Sequence, residues 1–300
     1  MNDRPTTRRG PTAAPPTTSD ALRAFAGPAA PRAPRCARLV ALDYDGTLAP
    51  LVDDPLAAVM TPAARAAVDR LAALTSRAGG DVLRLALVSG RNLTDLAGRA
   101  GVPPGTYLVG SHGAETGRMT ADGVDAVPLH LTPEQAQTLE RLREGMQDAV
   151  DGRRGTWVQD KPSAAVLHTR LAGADDARAA AADVDDLAHR LGLHAMHGKD
   201  VVEVAVVPTS KGLAVEALRD ALTDRSDVPA LVLYAGDDTT DEAAFGVLGP
   251  DDLGIKVGPG PTVAAHRVED ADALAEALER LADALERQVP PGPPTPGSAP

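Results

Sequence analysis

Four short apolar runs in this chain each stop at a polar or glycine-containing cluster, and helical patterns lie between them. The runs are Leu39-Val40-Ala41-Leu42, Leu85-Ala86-Leu87-Val88, Tyr107-Leu108-Val109 and Ala230-Leu231-Val232-Leu233-Tyr234-Ala235. Each is too short for a helix and apolar throughout, which is how a strand covered on both faces reads. Between them, Thr61-Pro62 sets a cap and a first-turn proline ahead of Val68, Leu71 and Leu74. Leu274, Leu278, Leu281 and Leu285 mark a closing amphipathic helix. Strands alternating with helices imply an α/β fold, a doubly wound parallel sheet with helices on both faces. Ligands of such sheets sit beyond the carboxyl ends of the strands. Asp43, Ser89, Ser111 and Asp237 all fall just after apolar runs, which points to one shared site.

The middle of the chain reads differently. Thr132-Pro133-Glu134-Gln135 fits a capping box opening a helix to about Val150. Trp157-Val158-Gln159 and Ala164–His168 look like paired strands, a second helix spans roughly 175–191, and Val201–Val207 is a final strand. The pattern predicts an inserted α+β domain over 117–207, with hinges near Gly117 and Pro208, between core segments 20–116 and 208–288. The Pro/Thr/Arg-rich residues 1–19 and the Pro/Gly-rich residues 289–300 are expected to be disordered tails, with a short helix at Asp20–Phe25.

Composition narrows the function. The net charge of −12 disfavours nucleic-acid binding and attachment to anionic membranes. No apolar stretch approaches the ~20 residues of a membrane span. Arg8-Arg9 precedes prolines rather than an apolar core, so an export signal is not expected. The lone Cys36 excludes an intramolecular disulfide and fits the cytoplasm. The sequence leaves the oligomeric state open, a monomer being compatible with it.

The chemistry centres on Leu42-Asp43-Tyr44-Asp45-Gly46-Thr47. Residues i and i+2 of an extended segment point the same way, so Asp43 and Asp45 would project together, and Gly46 allows a sharp turn. Two like charges so close call for a cation, a shared proton or solvent. At a phosphate site a hard cation such as Mg²⁺ is the natural partner. Three carboxylates recur within five residues at Asp237, Asp238 and Asp241, more than helix capping requires.

Asp43-Tyr44-Asp45-Gly46, Ser89 in Val88-Ser89-Gly90-Arg91, Lys211 and Gly236-Asp237-Asp238-Thr239-Thr240-Asp241-Glu242 together resemble the haloacid dehalogenase-like phosphatase superfamily. Gly110-Ser111-His112-Gly113-Ala114-Glu115 and the GDDTTDE spacing look like its trehalose-6-phosphate phosphatase branch, over roughly residues 36–287. The resemblance implies a Rossmann-like core with a cap. It implies Asp43 as nucleophile and metal ligand, and Asp45 as general acid and base whose main-chain carbonyl binds metal. Asp237 becomes a third metal ligand, with Asp238 and Asp241 behind it holding metal-bound water or orienting Lys211. Ser89, Gly90, Arg91 and Lys211 would bind phosphate, with Arg91 paired to an acidic neighbour as the alternative. Ser89 capping the following helix is a further alternative. Ser111, His112 and Glu115 would face the substrate, as would the cap residues Lys161, His168, Arg170, Lys199 and Glu203.

Two departures stand in the cap: Gln159 where the branch commonly has glutamate, and Ala205-Val206 where it commonly has Arg-Pro. The implied reaction is Mg²⁺-dependent hydrolysis of trehalose 6-phosphate through an aspartyl-phosphate. Sucrose phosphate or mannosyl-phosphoglycerate as substrate, phosphoryl transfer to a sugar, and a silent sugar-phosphate-binding regulator are the alternatives. The presence of Asp43, Asp45, Lys211 and Asp237 argues against silence.

Overall fold

The computed structural model describes residues 17–27, 36–52 and 57–288. Residues 1–16 and 289–300, where most of the expected tails fall, lie outside the described residues. In chain order the first elements are α1 (Thr18–Ala26), β1 (Ala37–Asp43), α2 (Pro62–Ala78), β2 (Leu83–Val88), α3 (Leu93–Ala100), β3 (Tyr107–Gly110), β4 (Glu115–Thr120) and β5 (Gly123–Val127). Then come α4 (Pro133–Val150), β6 (Trp157–Asp160), β7 (Ala164–His168), α5 (Ala174–Arg190), β8 (Ala195–Gly198) and β9 (Val201–Ala205). The chain closes with α6 (Lys211–Ser226), β10 (Ala230–Gly236), α7 (Glu242–Phe245), β11 (Leu253–Val257), β12 (His266–Val268) and α8 (Ala271–Glu286). This is a mixed α/β fold with a mostly parallel sheet and a small antiparallel one. Among the described residues no helix is long and apolar enough to cross a membrane.

The chain divides into two compact units. Among the described residues, the first comprises those up to 85, residues 219–238 and residues 248–288. In it β12, β11, β10 and β1 lie in that order, all parallel. Leu39, Val40, Ala41 and Leu42 are all buried, as a continuous apolar run requires of a strand covered on both faces. Register then decides where the chemistry goes. Leu42 lies opposite Ala235, so Asp43 and the Gly236-Asp237 step leave the same edge of the sheet side by side. The helices form for local reasons. Thr61 accepts from the Ala64 amide at 3.1 Å and Pro62 follows at the first helical position, so α2 starts there. Asp270 does the same for α8 through the Ala273 amide at 2.9 Å. α2 packs on α8, burying Val68, Leu71, Leu74, Leu274, Leu278 and Leu281. Each such side chain contributes roughly 1.5–3 kcal/mol.

The second unit comprises residues 86–218 and 239–247. The end of β2 pairs in parallel with β3, Val88 opposite Val109. The hairpin of β4 and β5 then adds antiparallel to β3. Residues 117–127, assigned to the insertion on sequence alone, therefore continue this sheet. Beyond them lie the four antiparallel strands β6-β7-β9-β8. Period-two alternation splits these strands into two faces. Leu167, Val202 and Val204 pack with Leu142 and Met146 of α4 and Val184 of α5 in one core, against which Val158 is also packed. Trp157, Gln159, His168 and Glu203 point to the other face. The helix–strand–strand pattern occurs twice, as the sequence implied, with β8 supplied by residues that gave no strand signal of their own.

Candidate active site

In the first unit the site is built at the carboxyl ends of β1 and β10. Asp43 ends β1 and is 3% exposed. The Thr47 hydroxyl lies 3.0 Å from Asp43 Oδ2 and 3.3 Å from Asp237 Oδ1, and its single hydrogen is shared between them. The turn that returns Thr47 to Asp43 needs Gly46, whose φ is +78°, and a Cβ there would collide with the Asp237 carboxylate. The Gly46 amide donates to the Ala49 carbonyl at 2.7 Å, closing the turn.

Asp43 and Asp237 belong to a cluster of carboxylates with oxygens within 4.8 Å of one another. Hard oxygen donors at this spacing suit a divalent cation such as Mg²⁺. Asp45 is half-buried beside them, and its carboxylate is not a member of the cluster.

Lys256 escaped the sequence reading. It interrupts the apolar strand β11, is 3% exposed, and its ammonium donates to the Asp237 and Val257 carbonyls. A buried lysine must find such acceptors, and here they fix the main chain that carries Asp237. The available signal was a single charge inside an otherwise apolar strand.

The second unit carries the remaining residues in three groups. Ser89 is buried after β2. It does not cap α3, because Asn92 does so through the Asp95 amide at 2.8 Å; the Ser89 hydroxyl instead accepts from the Arg91 amide at 3.1 Å. Arg91 pairs with Asp95 at 2.7 Å, the alternative the sequence left open. The Arg91 and Arg99 guanidiniums hold the Asp95 carboxyl below its ordinary range, although burial works the other way.

Against this loop sits Ser111-His112-Gly113, three successive residues with φ of +48°, +53° and +113°. Two of them are not glycine, each strained by about 1–2 kcal/mol. Hydrogen bonds hold them there: Ser111 N–H to the Arg91 carbonyl at 2.6 Å and His112 N–H to the Ser89 carbonyl at 3.0 Å. A Cβ on Gly90 would stand 2.6 Å from the His112 ring, and one on Gly110 would stand 2.6 Å from the Leu93 amide nitrogen. Glu115 Oε2 accepts from the Leu93 amide at 3.2 Å and from the Ser111 hydroxyl at 2.6 Å. Its carboxylate thus sits at the amino end of α3, where the helix dipole favours an anion.

Lys211 opens α6 as expected and is 4% exposed. Its ammonium meets Asp241, fully buried, at 2.8 Å. Gly212 permits this approach, since a Cβ there would collide with the Ala243 carbonyl. Asp238 is exposed.

On the open face of the antiparallel sheet Lys161 grips both oxygens of Glu203, at 2.9 and 2.8 Å. His168 bonds Gln159 at 2.9 Å and stacks on Trp157. Burial, then the nearby Lys161 charge, pushes the His168 pKa below the usual imidazole range. Arg170 and Lys199 are exposed.

A model of the trehalose-phosphatase family matches residues 41–277, which takes in every one of these groups. The chain belongs to the trehalose-phosphatase family. It is 34% identical over 272 residues to a trehalose-phosphate phosphatase of Mycobacterium marinum, covering 89% of this chain and 66% of that relative. It is 35% identical over 249 residues to a bifunctional trehalose-6-phosphate synthase/phosphatase of Thermoproteus tenax, covering 81% of this chain and 32% of that one. The chain thus spans slightly under two thirds of the length of the mycobacterial relative. Aspergillus fumigatus trehalose-6-phosphate phosphatase shares the fold, with a TM-score of 0.65 at 24% identity over 90% of this chain and 99% of that one. The fold class read from the sequence, an α/β chain with a mostly parallel sheet and a separate small antiparallel sheet flanked by helices, is the one observed.

Proposed function

We propose that this chain is a Mg²⁺-dependent phosphatase that hydrolyses trehalose 6-phosphate to trehalose and phosphate in the cytoplasm, as a step of trehalose formation. Membership of the trehalose-phosphatase family supports the substrate. The observation that carries the chemistry is the parallel register of β1 and β10, which brings the Asp43 and Asp237 carboxylates to one hydroxyl.

In this reading an Asp43 oxygen attacks phosphorus, and the bond from phosphorus to the sugar oxygen breaks. Asp45 gives its proton to the departing oxygen. Asp45 then takes a proton from water, which attacks the aspartyl-phosphate and returns Asp43 as carboxylate with release of phosphate. Asp43, Asp237 and the Asp45 carbonyl would hold Mg²⁺, which supplies charge neutralisation at the phosphoryl oxygens. Ser89, Gly90, Arg91 and Lys211 serve the phosphoryl group, Lys211 oriented by Asp241. Ser111, His112 and Glu115 shape the loop beside Ser89. The cap residues Lys161, His168, Arg170, Lys199 and Glu203 recognise sugar hydroxyls, and an analogue lacking those hydroxyls is rejected because it leaves these polar groups unpaired.

The test is phosphate release from trehalose 6-phosphate, sucrose 6-phosphate, glucose 6-phosphate and mannosyl-3-phosphoglycerate, with Mg²⁺ or EDTA. Preference for trehalose 6-phosphate and silence in EDTA are expected. Preference for another sugar phosphate would relocate the specificity, and Gln159 and Ala205 are where it would have changed. No turnover of any would point to a binding protein.

A further inference from the structure

Trp157 is the only tryptophan in the chain. It opens β6, lies directly opposite His168 of β7, and is 39% exposed. The two rings are parallel within 3°, with centroids 4.7 Å apart. His168 is itself fixed by Gln159 at 2.9 Å, so one face of the indole rests on an anchored ring. β6 is the edge strand of its sheet, and among the described residues no strand pairs with it on the side away from β7. Two residues further along the same face stands Gln159, and two beyond that Lys161, joined to Glu203 with both side chains 14–15% exposed. The strand thus presents an exposed, preoriented aromatic plane at the sheet edge. A hexopyranose ring presents the complement, a face of aliphatic C–H bonds.

We propose that Trp157 is a specificity-determining residue, a stacking platform for a glucose ring of the substrate. The platform rests on the sugar-phosphatase reading above and adds to it a contact that no hydrogen-bonding residue supplies. Pre-orientation by His168 matters because the indole then loses little rotamer freedom on binding. A tryptophan that served only to stabilise the strand pair would do so through its contact with His168 and would be indifferent to sugar.

Because Trp157 is the sole tryptophan, its emission reports on the platform without labelling. Wild-type protein titrated with free trehalose should show a saturable emission change, and inorganic phosphate alone should not reproduce it. Trp157→Phe keeps a ring and should raise KM for trehalose 6-phosphate about threefold. Trp157→Ala should raise it about tenfold or more. In both, kcat on a small aryl phosphate should stay near wild type, which also shows that the variants fold. An emission spectrum unmoved by saturating trehalose, or a folded Trp157→Ala protein with wild-type KM, would overturn the platform. Wild-type protein that releases no phosphate from trehalose 6-phosphate would instead overturn the reading beneath it. The titration, repeated with free glucosides, would still decide whether Trp157 stacks on sugar.

Discussion

At the residue scale the two leading aspartates do different work, and substitution separates them. Asp43→Asn keeps the shape and the Thr47 contact but removes the nucleophilic charge, so kcat/KM should fall by about 10³-fold or more, roughly 4 kcal/mol. The fold should persist by circular dichroism. Substantial turnover by a folded Asp43→Asn protein would remove Asp43 from the nucleophile's role. Asp45→Asn tests the acid, whose contribution is typically 10²–10⁴-fold. It matters most for a poor leaving group, so hydrolysis of trehalose 6-phosphate should suffer far more than that of p-nitrophenyl phosphate. Equal losses would make Asp45 chiefly a metal-site residue. Asp43, Ser89 and Asp237 were legible in the sequence because each follows an apolar run, whereas Lys211, which opens a helix, was legible only through the family resemblance. Thr47 and Lys256 were not legible as site residues. Thr47 reaches Asp237 across 190 positions of chain, a closure that only strand register creates. Lys256 acts on a main-chain carbonyl, which leaves no partner in the sequence to find.

At the element scale, the strained turn at Ser111–Gly113 and the start of α3 share one acceptor, Glu115. The sequence suggested Glu115 as a substrate contact, and the capping geometry offers a structural role that a motif alone does not disclose. Glu115→Ala leaves the Leu93 amide and Ser111 hydroxyl without it and should cost about 1–2 kcal/mol in urea unfolding. Glu115→Gln retains an acceptor and should recover most of both stability and activity. A stable Glu115→Gln protein with lost activity would return the carboxylate to the substrate. The Trp157–His168 pair gives a second test at this scale. Burial and Lys161 lower the folded pKa of His168, so the unfolded chain binds the proton more readily than the folded one. The pair's contribution to stability is present above the unfolded value and is lost as pH falls through the folded one. Trp157 emission, quenched by an imidazolium stacked on it, should recover with a midpoint below 6.5 and lose that transition in His168→Gln. A midpoint above 6.5 would mean that Glu203, not Lys161 and burial, dominates. The elements themselves were mostly readable from period and caps. The exceptions were β4, polar and half-buried, β5, largely exposed, and β8, whose four residues are too few to show a period.

At the scale of the whole molecule, a net charge of −12 means that any divalent cation stabilises the chain somewhat by screening, wherever it sits. A site is something more: a cation bound to the native state and not to the unfolded one. At a hundred times its dissociation constant such a ligand contributes about 2.7 kcal/mol. For a protein of this size that corresponds to a rise in Tm of about 5 °C. MgCl₂ should therefore raise Tm by about that amount over NaCl of equal ionic strength, and EDTA should reverse it. If the two compact units melt separately, the shift belongs to the transition of the unit that holds Asp43 and Asp237. Asp237→Asn removes one hard ligand while leaving the screening unchanged, so its Tm should respond to MgCl₂ no more than to NaCl. A full MgCl₂ shift in Asp237→Asn would place the cation elsewhere. Equal shifts for both salts in the wild type would leave screening alone, and the paired aspartates would then need another explanation for their approach.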